Sequence, residues 1–547
     1  MRQSISLPHP GALFSHNFRE KIIMIRNFIA AGMVMVITSV LMSGCTGGST
    51  ASRLPEELGA DMIKKGSVTT KGTLHDPQVI VGDDGTYYCY GSHMTAATSE
   101  DLVTWKSWAN GVTKANKIFD NLLVEPFDAF SYVGKNDQRS YSVWAPSVIY
   151  NKTTGKYMMY FCTTSSYIKS DITLATSDNI NGPYHYEKTV LYSGFTNPVL
   201  KKTDYYDVMG EDKELKKRYI TAAGYNNQLW PNAIDPAMFY DKDDRLWMVY
   251  GSWSGGIFIL ELDPATGDVI HPETNDETET DKYFGKRLIG GGHHPIEGPY
   301  IHYDTGTGYY YLFLSYGNLQ ADGGYQIRVL RSDRPDGVYT DVAGKSLGVN
   351  GDLESYNEYG TKLMGNYTLP SLDVTYMAPG GQSTFTGADG KLYIVYHQRF
   401  ANKVETHNVR VHQMAMNEDG WPCIFPFATC GETLSDEGYK QSDPAGTFYV
   451  LDHGLAVNSK VNELVTCTFS DGVISGDVTG TYTVTECTNY VTLNIGKAIY
   501  KGVMINMTDE AGNNTFCISA TGDNNHSIWC VHYMVDEEAD ATDNINQ

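Results

Sequence analysis

Acidic residues stand at the start of several short, similar segments of this chain. Asp76 occurs in His-Asp-Pro, Asp235 in Ile-Asp-Pro and Glu297 in Glu-Gly-Pro. Two carboxyl groups that face each other can divide the work of acid–base catalysis, because the ionised one accepts a proton while the protonated one donates a proton. A third carboxylate nearby raises the pKa of the donor, since like charges disfavour ionisation. The three acids therefore predict a site for general acid–base chemistry.

Hydrolysis of a glycosidic bond with inversion requires this division of roles. One carboxylate activates a water molecule and a second carboxylic acid protonates the leaving oxygen, with about 6.5–9.5 Å between the two groups. Any single Asp-Pro pair is more often a turn or the start of a strand. We expect the three acids to share one position in a repeated unit, and this repetition favours the catalytic interpretation.

The unit that carries the acids recurs five times along the chain. In each case the head segment runs through a turn into a strand rich in aromatic residues. Repetition of this kind is typical of radial or stacked architectures. The five heads are residues 75–80, 144–149, 234–239, 297–301 and 382–385.

The fold that fits five such units is an all-β protein with a five-bladed β-propeller, which we place at residues 73–435. A pair of β-sandwiches is the alternative. The units lie farther apart than the residues that one blade needs. We therefore expect functional insertions at 91–143, 163–233 and 338–381.

A second domain is predicted after the polar segment near residues 434–446. The following residues form β-patterned runs separated by Gly, Asp and Asn turns. These runs predict a small β-barrel or sandwich at 436–540.

The N-terminus resembles a bacterial lipoprotein signal. Arg19, Lys21 and Arg26 precede an apolar run that ends in Leu-Met-Ser-Gly-Cys at Cys45. We expect residues 1–44 to be removed, Cys45 to carry lipid and 45–72 to form a tether; an ordinary secretory peptide is the alternative. This places the protein in the bacterial cell envelope, anchored by lipid to the outer membrane and otherwise soluble.

Charge and cysteine content restrict the partners further. The net charge of −23 excludes nucleic acid as the main ligand and fits a neutral polymer. We expect a monomer. Cys89 and Cys162 lie in apolar strands and are predicted to be buried thiols. The cysteines that could pair in an oxidising compartment are Cys423, Cys430, Cys467, Cys487, Cys517 and Cys530.

Taken together, the five heads resemble glycoside hydrolase family 43, a five-bladed propeller family of arabinanases, arabinofuranosidases and xylosidases. The resemblance implies that Asp76 is the general base and Glu297 the general acid. It implies that Asp235 tunes the pKa of the acid and orients it.

Two further segments look most like those of endo-α-1,5-L-arabinanases, namely residues 232–236 and 251–256. The resemblance implies an inverting endo-hydrolase of arabinan, a side chain of pectin. An exo-acting arabinofuranosidase or xylosidase, or a surface glycan-binding lipoprotein, is the alternative. Trp144 is expected to stack on a sugar ring. The sugar-binding residues implied are Asp76, Asn232, Ala233, Ile234, Asp235, Ser252, Trp253 and Ser254.

A metal ion is also implied by the resemblance. Arabinanases of this type place a histidine in the fifth blade that binds one calcium ion with water, and His397 in Tyr-His-Gln-Arg occupies that place. Calcium prefers oxygen ligands, so water completes such a site. His75, His293 and His294 stand beside the acids in sequence and are expected to approach the site.

Overall fold

The computed structural model describes residues 54–67, 73–348, 354–401 and 405–536. The predicted signal peptide, Cys45 and half of the tether lie outside these residues. Within them β-strands predominate, as the runs of aromatic and β-branched residues predict.

The first two blades are four-stranded antiparallel sheets in simple chain order. Most positions of their middle strands are buried on both faces, because each blade is packed between two others. The strands are β1 (Gln78–Val81), β2 (Tyr87–Gly91), β3 (Thr95–Ser99), β4 (Lys106–Ala109), β5 (Ser142–Asn151), β6 (Lys156–Thr164), β7 (Ser170–Ser177) and β8 (His185–Tyr192).

Two short helices and a hairpin follow the second blade. Asp212 caps the second helix by accepting hydrogen bonds from the backbone N–H groups of Glu214 and Leu215. The elements are α1 (Tyr205–Met209), α2 (Lys213–Tyr219), β9 (Ile220–Thr221) and β10 (Gly224–Tyr225).

The other three blades repeat the antiparallel plan. In the third blade two short strands join the outer edge. The strands are β11 (Ala237–Tyr240), β12 (Leu246–Tyr250), β13 (Ile257–Leu262), β14 (Val269–Ile270), β15 (Thr280–Asp281), β16 (Gly285–Ile289), β17 (Ile296–Tyr303), β18 (Tyr310–Tyr316), β19 (Gln326–Ser332), β20 (Thr361–Met364), β21 (Tyr376–Thr386), β22 (Leu392–Phe400), β23 (Asn408–Met416) and β24 (Pro422–Ile424).

The first strand of each blade faces the central channel. β1 contacts β5 and β21, β11 contacts β5 and β17, and β17 contacts β21, so the five strands close a ring. The predicted five-bladed propeller is confirmed.

The expected insertions at 91–143, 163–233 and 338–381 are partly wrong. They contain β3 and β4, then β7 and β8, and finally β20. The sequence signal of these strands is weak beside that of the aromatic-rich second strand of each unit. Only the part of each segment outside these strands is an insertion into the blade.

The C-terminal domain is a closed barrel of eight antiparallel strands. Burial alternates along several strands, because one face points into the barrel. Seven of the eight strands coincide with the β-patterned runs of the sequence. The strands are β25 (Gly446–Asp452), β26 (Leu464–Ser470), β27 (Val473–Gly476), β28 (Gly480–Val484), β29 (Tyr490–Ile495), β30 (Ala498–Thr508), β31 (Asn514–Gly522) and β32 (Ser527–Met534).

The barrel packs tightly against the fourth and fifth blades. Trp529 and Tyr533 are buried in an apolar cluster that also holds Phe425 and Phe427 of the propeller. Arg410 of β23 forms a fully buried ion pair with Glu510 of the barrel. Large shared apolar burial and a paired charge make the two domains one compact unit.

The cysteines are mainly buried thiols. Cys89 and Cys162 are free and buried, as predicted. Five of the six cysteines that could have paired are instead free, because their sulfur atoms face backbone groups or the core: the Sγ of Cys430, for example, lies 3.4 Å from the Thr508 carbonyl. These five free thiols are Cys423, Cys430, Cys467, Cys517 and Cys530.

Across the described ranges, we find no helix with the length and apolar character needed to span a membrane.

Candidate active site

The head of each inner strand places one residue in the left-handed backbone region. These residues are Asp76, Ala145, Asp235, Gly298 and Gly381, with φ between +41° and +58°. Left-handed backbone is costly for residues other than glycine and is retained mainly at functional sites. All five lie at one end of the channel, around a cleft of about 600 Å³.

The expected equivalence of the three acids is wrong for Glu297. Asp76 and Asp235 occupy the left-handed position itself, but in the fourth blade that position is Gly298. Glu297 precedes it, and the pairing of β17 with β18 shifts between Glu297 and Tyr300. Such a bulge redirects a side chain. The acid therefore reaches the cleft from a different backbone position than the two aspartates.

Asp76 has polar partners from two blades. Its Oδ2 accepts a hydrogen bond of 2.5 Å from the Ser92 hydroxyl and lies 2.9 Å from His75 Nδ1. Its backbone N–H donates to His397 Nδ1 at 3.4 Å. The side chain remains 21% exposed toward the cleft. One edge of the carboxylate is thus fixed while the other can meet solvent.

The pKa of Asp76 is lowered. Burial alone would raise it, but the charge and hydrogen bond of His75, together with His397 and Ser92, outweigh the burial. Asp76 is therefore ionised at neutral pH, as a general base must be.

Glu297 is surrounded by three hydrogen-bond donors. Its Oε2 accepts from the Ser252 hydroxyl at 3.0 Å and from the Trp253 indole N–H at 2.8 Å. Its Oε1 accepts from the Tyr325 hydroxyl at 2.8 Å. Burial raises the pKa of Glu297, the three donors lower it, and the charge of Asp76 raises it; the net pKa is raised. Because Oε2 already has two donors, the proton of the acid form belongs on Oε1.

Asp235 connects the third blade to the fourth. Its Oδ2 accepts a hydrogen bond of 3.2 Å from the Gly298 N–H, next to the acid. Burial, followed by the negative charges of Glu297 and Asp76, raises the pKa of Asp235 well above its usual range. The three carboxyl groups therefore form one electrostatically coupled set.

Most of the predicted sugar-binding residues border this cleft. The exception is Ala233, which is fully buried and donates its N–H to the Ser193 hydroxyl. His75 and His293 also border the cleft, whereas His294 is buried and stacks on Tyr356. The cleft residues from the predicted set are Asp76, Trp144, Asn232, Ile234, Asp235, Ser252, Trp253, Ser254 and Glu297.

His397 lies behind the cleft wall and is fully buried. Its ring stacks on His75 with 4.3 Å between ring centres. Gly381 separates it from the cleft: a methyl group there would stand 2.5 Å from Asp76 Oδ1 and 2.7 Å from His397 Nδ1. The position therefore requires glycine both for its backbone and for space.

Donor atoms of His75, Asp76 and His397 converge to within 4.8 Å of one another. The Nε2 atoms of both histidines are buried, and neither has a hydrogen-bond partner in the described part of the chain. Burial lowers the pKa of His397 well below its usual range, so the ring is neutral and keeps a lone pair. The group therefore has the composition of a site for a divalent cation.

Two site residues escape the sequence reasoning. Tyr325, the residue before β19, donates to Glu297 and stacks on His397 with 5.7 Å between ring centres. Ser92 donates to Asp76 and accepts from the Ala145 N–H at 2.9 Å. Neither residue belongs to a repeated head. A search for polar residues that follow the second strand of a blade could have found Ser92.

The barrel supports one rim of the cleft. Asn318, Leu319 and Gln320 border the cleft in the loop after β18. Methyl groups at two of the loop's three glycines, 317 and 324, would collide with barrel residues Val457 and Asn458. The β25–β26 connection thus packs directly behind this rim.

Replacing Tyr325 with phenylalanine should shift the pH dependence of catalysis. Its hydroxyl lowers the pKa of Glu297, so its loss should raise that pKa and move the alkaline limb of kcat to higher pH. We expect kcat to fall about threefold to tenfold, because the acid loses one orienting bond. Steady-state kinetics across pH measure both effects.

Tyr316→Phe is the matched control, since Tyr316 is buried in the same blade and its hydroxyl has no partner among the described residues. An unchanged alkaline limb in Tyr325→Phe would contradict the role given to this hydroxyl.

Comparison with known families locates two matches in the chain. The model of glycosyl hydrolases family 43 matches residues 66–422. A C-terminal lipocalin-like domain associated with that family matches residues 426–530. The two matches correspond to the propeller and the barrel.

Similar proteins cover most of the chain. The extracellular endo-α-(1→5)-L-arabinanase 2 of Bacillus subtilis is 36% identical over 84% of this chain and 92% of its own length. The extracellular endo-α-(1→5)-L-arabinanase of Thermotoga petrophila is 38% identical over 79% of this chain and 87% of its own length. The crystal structure of an endo-1,5-α-L-arabinanase from Thermotoga petrophila superimposes with a TM-score of 0.73, at 34% identity, over 86% of this chain and all of that one.

Proposed function

The chain belongs to glycosyl hydrolase family 43, and from that premise we propose that it is an inverting endo-α-1,5-L-arabinanase. The observation that carries the proposal is the coupled set of Asp76, Asp235 and Glu297 at the mouth of the propeller. Relatives at 36–38% identity over most of the chain act on the same linkage by name. The substrate is the arabinan of pectin side chains.

The lowered pKa of Asp76 suits the role of general base, and the raised pKa of Glu297 suits the role of general acid. Ionised Asp76 accepts a proton from the water that attacks the anomeric carbon, and protonated Glu297 donates its proton to the leaving oxygen. Bond formation and bond cleavage occur on opposite faces of the sugar, so the configuration inverts. Asp235 keeps the pKa of Glu297 raised and holds the Gly298 N–H that follows the acid.

Time-resolved product analysis on linear arabinan, branched arabinan and xylan tests the proposal. An endo-arabinanase releases oligosaccharides of mixed length from linear arabinan at early times and leaves xylan intact. Monosaccharide from the first time point would instead indicate an exo-acting arabinofuranosidase or xylosidase. Tight binding of polymer without any product would indicate a glycan-binding lipoprotein.

We also propose that the His75–Asp76–His397 group holds one calcium ion, with His397 as the protein ligand and water in the remaining positions. When bound, the ion supplies positive charge beside the acids. The protein's own part is to present imidazole nitrogens from the first and fifth blades at one point.

Replacing His397 with alanine should reduce the metal content of the purified protein and lower its activity. Elemental analysis after dialysis against metal-free buffer measures the first effect independently of turnover. His185→Ala, an exposed histidine of the second blade, is the control. Unchanged metal content in His397→Ala would remove His397 from the ligand set.

The cellular address is a further part of the proposal. We propose that the protein is a monomer outside the cytoplasm, held at the outer membrane by lipid on Cys45. The Leu-Met-Ser-Gly-Cys sequence supports this, and the relatives are extracellular by name. Cys45→Ser should move the protein from the membrane fraction to the soluble fraction. Retention in the membrane fraction would contradict the lipid anchor.

A further inference from the structure

Tyr167 is the most exposed large hydrophobic residue in the described part of the chain, with 87% of its surface accessible. It borders the same cleft as the three acids. We infer that Tyr167 is an aromatic platform for a neutral sugar unit of the polysaccharide, at a distance from the bond that is cleaved. The inference rests on the proposed function and adds a binding subsite to it.

The position of Tyr167 follows from the strand register of the second blade. Thr164, the last residue of β6, pairs with Ser142 of β5 and with Ser170 of β7. The β6–β7 turn therefore lies at the same end of the blade as Trp144. Because neighbouring strands are about 4.8 Å apart, the turn stands roughly 5–10 Å farther from the channel than the head of β5.

The turn that carries Tyr167 is held rigidly. The Ser165 N–H donates to the Lys169 carbonyl at 3.2 Å, and the Thr164 hydroxyl donates to the Ser166 carbonyl at 2.6 Å. The Ser193 hydroxyl donates to the Ile168 carbonyl at 3.1 Å. A fixed backbone limits the conformational entropy lost when the ring binds a ligand.

The backbone of Tyr167 is linked directly to the active site. Its carbonyl accepts a hydrogen bond from the side-chain amide of Asn232. Asn232 begins the segment that leads to Asp235, three residues later. The exposed ring is thus set at a fixed place relative to the catalytic aspartate.

The chemistry of the ring indicates the ligand class. An aromatic face contacts the C–H groups of a sugar, while the phenolic hydroxyl at its edge can bond to a sugar hydroxyl. The nearby cation Lys169 is not available to an anionic ligand at Tyr167, since its Nζ lies over the Tyr132 ring. A neutral sugar of an extended chain fits these features better than an anionic one.

Kinetics on a long and a short substrate test the inference. We expect Tyr167→Ala to raise KM for linear arabinan about threefold to tenfold with kcat unchanged, the range of one aromatic contact. Arabinotriose, which occupies fewer subsites than the polymer, should lose much less of its kcat/KM. Tyr167→Trp should restore the KM for arabinan. Tyr150→Ala removes a half-exposed tyrosine near the C-terminal end of β5, away from the head. This variant should leave KM and kcat unchanged for both substrates.

Three results would overturn the inference. If the unaltered protein is active and Tyr167→Ala has an unchanged KM for arabinan, the subsite is overturned while the proposed function stands. An equal loss on arabinotriose would show that Tyr167 acts at the cleavage site and not at a distance. Absence of arabinan cleavage by the unaltered protein would overturn the proposed function, and this subsite with it.

Discussion

Asp76→Asn should reduce kcat on arabinan by about a thousandfold or more, because it removes the one acid of the three whose pKa is lowered. General acid–base groups contribute about 10²–10⁴-fold to catalysis. Among the three coupled acids of the cleft, Asp76 alone has a lowered pKa, whereas the pKa values of Asp235 and Glu297 are raised. Both of these acids ionise less readily than Asp76, which makes them poor replacements for it as the base.

Asparagine is a better test than alanine at this position. Asp76 has a φ of +50°, a conformation that asparagine adopts more readily than alanine. The asparagine side chain can still accept a hydrogen bond from Ser92. The variant thus removes the charge with little strain, and a cooperative thermal transition should show that it is folded.

A substrate whose leaving group needs no protonation should not restore the activity of Asp76→Asn, because the step that this variant lacks is the activation of water. The measurement is the rate on arabinan and on an arabinoside with an activated aryl leaving group. Asp83→Ala, an acid in the β1–β2 turn of the same blade, is the matched control and should retain full activity. Normal turnover by Asp76→Asn would show that another group is the base.

The fold could be predicted because its signals are local and repeated. Each head leads to an aromatic strand, four of the five heads contain Pro, and the five copies define five blades. The strands that were missed, such as β3 and β20, are short or lack the aromatic pattern. β27 of the barrel was missed for the same reason, since it has four residues and only one of them is buried.

The site was predictable only in so far as it is built from the heads. Asp76 and Asp235 carry a motif, but Tyr325 reaches Glu297 through the position of β19 beside β18. The choice of glycine at 381 depends on atoms more than 300 residues away in sequence, at Asp76. Contacts of this kind arise from closure of the ring and have no local pattern.

The register of the heads explains why one residue of the set is a glutamate. The left-handed position of the fourth blade is taken by Gly298, so its acid must come from the residue before it. A glutamate has one more methylene than an aspartate. The longer side chain, redirected by the bulge, brings its carboxyl group to Ser252 and Trp253 of the third blade. The difference in residue type thus compensates for a difference in backbone position.

Glu297→Ala should abolish cleavage of arabinan while retaining activity on an arabinoside with an activated aryl leaving group. We expect a loss of about a thousandfold on the natural linkage, which departs as an alkoxide unless it is protonated. An aryl oxide leaves without that help, so the rate on this substrate should fall much less. The same pair of substrates therefore separates Glu297 from Asp76.

The pH dependence provides a second criterion for the same residue. The protonated form of Glu297 is the active one, and its pKa is raised, so activity on arabinan should persist above the usual range of a glutamate and decline as pH rises through that raised pKa. In Glu297→Ala, the residual rate on the aryl substrate should lose this alkaline decline. Glu261 lies on β13 of the third blade and provides the control. Glu261→Ala should retain its activity on both substrates and the full pH profile. An alkaline limb that survives in Glu297→Ala would mean that a different group is the proton donor, and Asp235, whose pKa is also raised, would be the next residue to test.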